Sequence, residues 1–156
     1  MKAADVMSHN PATLKPTDTI GQGAELIMTN RYRNLPVVDD EGCYLGMFGV
    51  NCLLKQVIPK AILMHKGLEN IGFIHESLED LYQRFNESRD KCIEVCMSHD
   101  ISPVAPDTPL METLLQLYET RSSIPVVEPG TCKLMGMISY FDVGENIMTA
   151  GAKGHA

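Results

Sequence analysis

Met7-Ser8-His9 returns ninety positions later as Met97-Ser98-His99, and much of the chain follows the same offset. Pro16 matches Pro106, Gly46-Met47 matches Gly136-Met137, and one residue of slippage separates Pro36-Val37-Val38 from Pro125-Val126-Val127. An internal repeat constrains the fold more than any single residue does, because each copy has to be one supersecondary unit built to pack against the other. The apolar spacing repeats too. Ile20, Ala24, Ile27 and Met28 stand at i, i+4, i+7 and i+8, and Leu110, Leu114, Leu117 and Tyr118 do the same one offset later. That period predicts an amphipathic helix in each copy.

Pro16, Asp18 and Thr19 mark the start of the first helix, with Asp18 as the candidate N-cap. Pro106, Thr108 and Pro109 mark the second, with Thr108 in that role. Leu35-Pro36-Val37-Val38 and Ile124-Pro125-Val126-Val127 are short β-rich runs, and each Pro fits a first strand residue, where no ladder donor is needed. Polar, Gly-bearing turns follow at Asp39 to Gly42 and Glu128 to Gly130, and Tyr44 to Val50 and Leu134 to Tyr140 return as hairpin partners. Each copy thus reads as strand, helix, strand, strand, helix. Between them, Ile58, Ile62 and Leu63 predict a helix beginning near Pro59, and Leu78, Leu81, Tyr82 and Phe85 predict another, with Gly67 and Gly72 separating the two. The charges from Glu76 to Lys91 are expected on the solvated side of that second helix. The division is residues 1–60 for the first repeat, 61–92 for a helical linker, 93–149 for the second repeat and 150–156 for a flexible tail.

Thirteen Lys and Arg against twenty Asp and Glu give a formal charge of −7, which excludes a general basic face for a phosphate backbone. The longest run without a charged side chain, Gly42 to Leu54, is too short to span a bilayer. Lys2 and Asp5 flank Ala3 and Ala4 with no apolar run behind them, so no signal peptide is expected and the location is read as cytoplasmic. The five cysteines, Cys43, Cys52, Cys92, Cys96 and Cys132, include no Cys-x-x-Cys pair, and reduced thiols are the expectation in that setting. Cys92 and Cys96 are placed at i, i+4 on a helix, as packing residues.

With Met-Ser near the start of each copy, a Pro-led helix entry and a Pro-Val-Val strand, the chain resembles a tandem pair of cystathionine-β-synthase-type (CBS) regulatory domains, the Bateman module. The second copy also carries the closing motif of that family, Gly136-Met137-Ile138-Ser139-Tyr140-Phe141-Asp142-Val143. The first copy departs from it: Gly49 stands where the hydroxyl belongs and Cys52 where the carboxylate belongs. The resemblance implies an α+β sandwich of two βαββα repeats, intertwined and packed sheet to sheet about a pseudo-twofold axis, with two clefts that take AMP, ADP, ATP or S-adenosylmethionine. It also implies a stand-alone, non-catalytic protein without required cofactor, a homodimer through the helices of both repeats, and a separate regulated partner.

Ser-x-x-Asp has a physical logic of its own. A hydroxyl and free N–H groups at a helix start seat a phosphate, and a first-turn carboxylate accepts from a ribose diol. The alternative is that Ser139 is an N-cap and Asp142 a first-turn residue. In the family architecture this motif, Ile138 included, faces Ser8, Ala12, Tyr32, Arg33 and Pro36 of the other copy. Arg33 can fork onto phosphate oxygens; for Arg31 the preferred role, and for Arg33 the alternative, is a cation at a helix end. The other cleft is expected to join Phe48, Gly49 and Cys52 with Ser98, Ser102, Arg121 and Ser122, and to lack the diol acceptor. Cys52 is either a small buried residue or a thiol activated by a helix N-terminus. His9 and His99 occupy equivalent positions, but no third ligand is spaced for a metal. The functional classes left open are a nucleotide sensor, a ligand-free dimerisation module and a small Cys-dependent redox protein.

Overall fold

Helix α2 (Ile20–Asn30) starts at Thr19, whose hydroxyl accepts from Gln22 N at 3.1 Å while its own N–H donates to Gln22 Oε1 at 2.8 Å. This reciprocal box satisfies two of the donors a helix start leaves open. The expected cap, Asp18, sits one residue too early and instead accepts from Lys15 N at 2.8 Å, closing the preceding turn. The second copy corrects in the same way: α6 (Leu110–Thr120) has Pro109 as N-cap, and Thr108 Oγ1 accepts from Ala105 N at 3.1 Å. Both helices end on an arginine in the left-handed region, Arg31 at φ 56° and Arg121 at φ 58°.

The computed structural model describes residues 1–65 and 76–153. Its remaining elements are α1 (Ala3–Val6), β1 (Ser8–His9), β2 (Asn34–Val38), β3 (Tyr44–Gly49), α3 (Val50–Val57), α4 (Lys60–His65), α5 (Leu78–Ser88), a 3-10 turn at Ile93–Val95, β4 (Ile124–Val127), β5 (Leu134–Ile138) and α7 (Tyr140–Lys153). Hairpin β2–β3 pairs Leu35 with Phe48 and Val37 with Gly46; hairpin β4–β5 pairs Ile124 with Ile138 and Val126 with Gly136.

The two copies exchange their leading segments. β1 pairs antiparallel with β5, Ser8 opposite Met137, so the start of the first copy completes the sheet of the second in the order β1-β5-β4. In return Ser98 bonds Met47 in both directions, at 2.8 and 2.7 Å. This contact is one bridge beside a two-stranded sheet, so the two sheets differ in strand number. The Ser98 hydroxyl accepts from Asp100 N at 3.2 Å and turns the chain away after that bridge. Ala3 and Ala4 donate to Thr108 O and Pro106 O, as Ile93 and Glu94 donate to Asp18 O and Pro16 O.

The cores follow this exchange. Ala3 and Val6 are buried with Val104, Leu117, Ile124, Ile138 and Val143, whereas Ile93 is buried with Ile20, Ile27, Leu35, Phe48 and Cys52. Cys92 and Cys96 therefore flank a 3-10 turn, the counterpart of α1, and do not share the α-helix that their spacing suggested. Gly46 and Gly136 recur because of the crossing strands: a Cβ would stand 2.6 Å from Ser98 O at the first and 2.5 Å from Ser8 O at the second.

The expectation of reduced thiols is overturned at Cys43 and Cys132, which form a disulfide. The hairpin tips meet through Tyr44 N to Cys132 O (2.9 Å) and Leu134 N to Gly42 O (3.0 Å), which brings the two Cα atoms to 4.9 Å, within disulfide range. Cys52, Cys92 and Cys96 are free.

In the linker, α5 packs on α3. Arg84 leaves the solvated face expected for it: half-buried, it donates to Val57 O at 3.2 Å and pairs with Glu76. Gly67 and Gly72 lie outside the described residues. Among the described residues no helix is long and apolar enough to cross a membrane.

Candidate functional site

Two clefts lie where the copies face each other. The first, of about 420 Å³, is bounded by the chain leaving β1, the junction of α2 with β2, and the start of α7. Ser8, Ala12, Tyr32, Arg33, Pro36, Ser139 and Asp142 all line it. Ile138 does not: it is fully buried in the second core, because strand alternation turns its neighbours Met137 and Ser139 to the cleft instead.

Ser139 and Asp142 form a capping box. Ser139 N and Oγ both donate to Asp142 Oδ2 at 2.9 Å, and Asp142 N donates back to Ser139 Oγ at 3.2 Å. The sequence left capping and ligand binding as alternatives; the capping bonds are formed and use only one carboxylate oxygen. Asp142 Oδ1 has no hydrogen bond among the described residues and retains two lone pairs for incoming hydroxyls. The rest of the wall is mixed. Arg33 brings a cation, Phe141 an 84% exposed ring, and Tyr140 is anchored by its hydroxyl on Leu117 O at 3.0 Å. Phe141, Ser123 and Arg31 were not singled out as lining residues from sequence. Phe141 occupies a variable position inside the motif, and Arg31 reaches the cleft because the left-handed turn redirects the chain.

The second cleft, of about 370 Å³, gathers Gly49, Asn51, Cys52, Ser98, Arg121 and Ser122. Two expected members are absent: Phe48 is fully buried in the first core, and Ser102 lies outside the lining, its carbonyl accepting from Gln116 Nε2 at 2.7 Å. Gly49 has an extended backbone, φ −147°, so no positive φ calls for glycine there. It is required by close approach: a Cβ would stand 2.8 Å from Arg33 O and 2.9 Å from Asn34 Cβ. Cys52 donates to Cys96 O at 3.0 Å. The Cys96 thiol, close enough to hydrogen-bond a Cys52 thiolate, pulls the Cys52 pKa below the usual thiol range, helped by the Gly49 backbone and Lys55, while burial opposes. Cys96 is pushed the other way by the same contact.

Asn34 and Ser122 line both clefts and are hydrogen-bonded to each other through Asn34 Nδ2, while Asn34 Oδ1 is buried with no partner among the described residues. His99 Nδ1 lies 3.2 Å from Leu45 O, His9 lines the first cleft, and among the described residues no group of three or more His, Cys, Asp and Glu could hold a metal ion.

The family model for the CBS domain matches the chain twice, over residues 3–58 and 91–148. The chain belongs to the CBS domain family. An uncharacterised protein of Methanocaldococcus jannaschii, MJ1426, is 39% identical to this CBS pair over 57 residues, which is 36% of this chain and 34% of that one. The chain thus matches about a third of that curated relative's length. Among solved structures, the CBS-pair protein CBSX2 from Arabidopsis thaliana superposes with a TM-score of 0.76 at 19% identity, covering 97% of this chain and 96% of that one. CBSX2 in complex with AMP gives 0.71 at 20% identity, covering 96% and 98%. The CBS domain pair of MJ0100, in complex with methylthioadenosine and S-adenosyl-L-methionine, gives 0.65 at 16% identity, covering 96% and 98%. At these identities the likeness shows the shared fold.

Proposed function

We propose that this CBS pair is a regulatory, non-catalytic module that binds one adenosine-containing small molecule, AMP, ADP, ATP or S-adenosylmethionine, in the first cleft. The observation that carries the reading is Asp142 Oδ1, which has no partner among the described residues, in a cleft that Arg33 also lines. The ribose hydroxyls donate to that oxygen, Arg33 faces the phosphates or the carboxylate of the ligand, and Tyr32, Pro36 and Phe141 supply apolar surface for the base. The adenosine ligands of CBSX2 and MJ0100 support the chemical class.

The same reading keeps the repeats at residues 1–60 and 93–149 with residues 61–92 as linker, a cytoplasmic location and a separate regulated protein. It also keeps a homodimer through the helices of both repeats: in the second copy Met111, Leu115, Tyr118, Ile147 and Met148 are each more than half exposed. Isothermal titration against AMP, ADP, ATP and S-adenosylmethionine tests the ligand. One of the four binding at one equivalent per chain supports the proposal, and four flat titrations at millimolar ligand sink it.

A further inference from the structure

The second cleft holds chemistry that nucleotide binding in the first does not use. Cys52 occupies the third position of α3, an eight-residue helix whose N-cap, Gly49, has no side chain to satisfy the first-turn N–H groups. Cys52 is among the residues lining the cleft, although only 4% exposed, and its sulfur rests 3.0 Å from Cys96 O. Cys96 is half-buried at the end of the 3-10 turn, its thiol directed to Ile93 O at 3.6 Å, and its carbonyl is the group that the Cys52 thiol touches. Two free cysteines separated by 44 residues in sequence thus meet, thiol against backbone carbonyl, beside a cavity large enough to admit a small oxidant.

We propose that Cys52 and Cys96 are a peroxide-sensitive dithiol pair, in which Cys52 is oxidised first and Cys96 resolves it to a disulfide. The Cys52 sulfur, as thiolate, attacks one oxygen of hydrogen peroxide. An S–O bond forms, the O–O bond breaks, and the leaving hydroxide takes up a proton as water, so the sulfur is oxidised by two electrons to a sulfenic acid. The Cys96 sulfur then attacks the Cys52 sulfur, forming S–S and breaking S–O, and the second hydroxide leaves as water with the Cys96 proton. In sum two thiols and one peroxide give a disulfide and two waters. The roles follow from position: Cys52 meets the cleft at a helix N-terminus, where a thiolate is favoured, while the Cys96 thiol stays protonated as donor until the sulfenic acid exists. The positive end of α3 stabilises the thiolate, although the Cys96 carbonyl that accepts from the Cys52 thiol opposes its ionisation. The bond locks the start of α3 to the segment whose Ser98 bridges Met47 beside β3.

The test uses the full chain with Cys43 and Cys132 paired. It is treated with sub-millimolar hydrogen peroxide at pH 7, blocked with N-ethylmaleimide and mapped by tandem mass spectrometry. Expected is loss of two of the three free thiols, with fragments joining Cys52 to Cys96, and the same result in C92S. In C96S, checked for folding by circular dichroism, dimedone should label Cys52 as a trapped sulfenic acid. A Cys92 to Cys96 linkage, or Cys52 still alkylatable after Cys92 has reacted, overturns the pairing. Absence of a dimedone adduct on a free Cys52 in folded C96S overturns the order of steps, and if C96S does not fold, the maps of the parent and C92S decide alone.

Discussion

Asp142 takes both of its Ser139 bonds on a single oxygen, Oδ2, from the Ser139 N–H and hydroxyl at 2.9 Å each. One carboxylate therefore caps α7 and keeps its second oxygen for another use, and the two roles can be separated by choosing the substitution.

Asp142→Asn keeps an oxygen that can accept from Ser139 but puts an amide NH2 where the free acceptor was. It should leave the thermal midpoint within a few degrees while weakening the adenosine ligand about 10- to 150-fold, the equivalent of about 1.5 to 3 kcal/mol for a hydrogen bond to a charged group. Ser139→Ala should instead cost about 0.5 to 2 kcal/mol of stability through the lost cap. Calorimetric titration and thermal melts on the same samples separate the two effects, and unchanged affinity in Asp142→Asn would remove Asp142 from the ligand site.

Gly46→Ala and Gly136→Ala should each destabilise by about 1 to 3 kcal/mol, because the new Cβ meets the carbonyl oxygen of a crossing strand and backbone must move. Gly49→Thr is unfavourable for a similar reason, so grafting a hydroxyl and a carboxylate into the second cleft by Gly49→Thr with Cys52→Asp should lower stability. Gly144 in α7 has open space around its Cβ position, and Gly144→Ala should stabilise by up to about 1 kcal/mol through helix propensity. Urea denaturation of the four variants reads the order directly; a Gly136→Ala as stable as the parent would contradict the close approach of Ser8.

Reduction of Cys43–Cys132 should lower the stability by about 2 to 5 kcal/mol, since the bond closes a loop of 89 residues in the unfolded chain. A melt in phosphine reductant should match Cys43→Ser with Cys132→Ser in buffer. Equal melting of oxidised and reduced protein would show that the hairpin tips are held by their backbone bonds alone.

Tyr44 donates to Ile101 O at 3.1 Å, and burial raises its pKa from 10 to about 12. The unfolded chain loses this proton near pH 10 while the folded chain keeps it, so the contribution is fully present below pH 10 and is lost as pH rises to about 12. Urea midpoints measured from pH 9 to 11.5 should fall more steeply for the parent than for Tyr44→Phe. Parallel curves would exclude Tyr44 as the group responsible.

The sequence by itself determined the elements and their duplication. Ile20, Ala24 and Ile27 repeat as Leu110, Leu114 and Leu117, and helical period, strand composition and turn residues are local properties carried by neighbours in the chain. Through the family resemblance it also pointed to seven residues that line the first cleft, Ser8, Ala12, Tyr32, Arg33, Pro36, Ser139 and Asp142, while Ile138 is buried and Phe141, Ser123 and Arg31 were missed. What only the tertiary structure decided are contacts between distant segments. Cys43 and Cys132 meet because the two hairpin tips bond to each other, Gly46 and Gly136 are required by strands arriving from the opposite copy, and Cys52 touches Cys96 because the 3-10 turn exchanges places with α1. No local pattern encodes such meetings, because they depend on how the packed copies cross and not on the conformation of either segment alone.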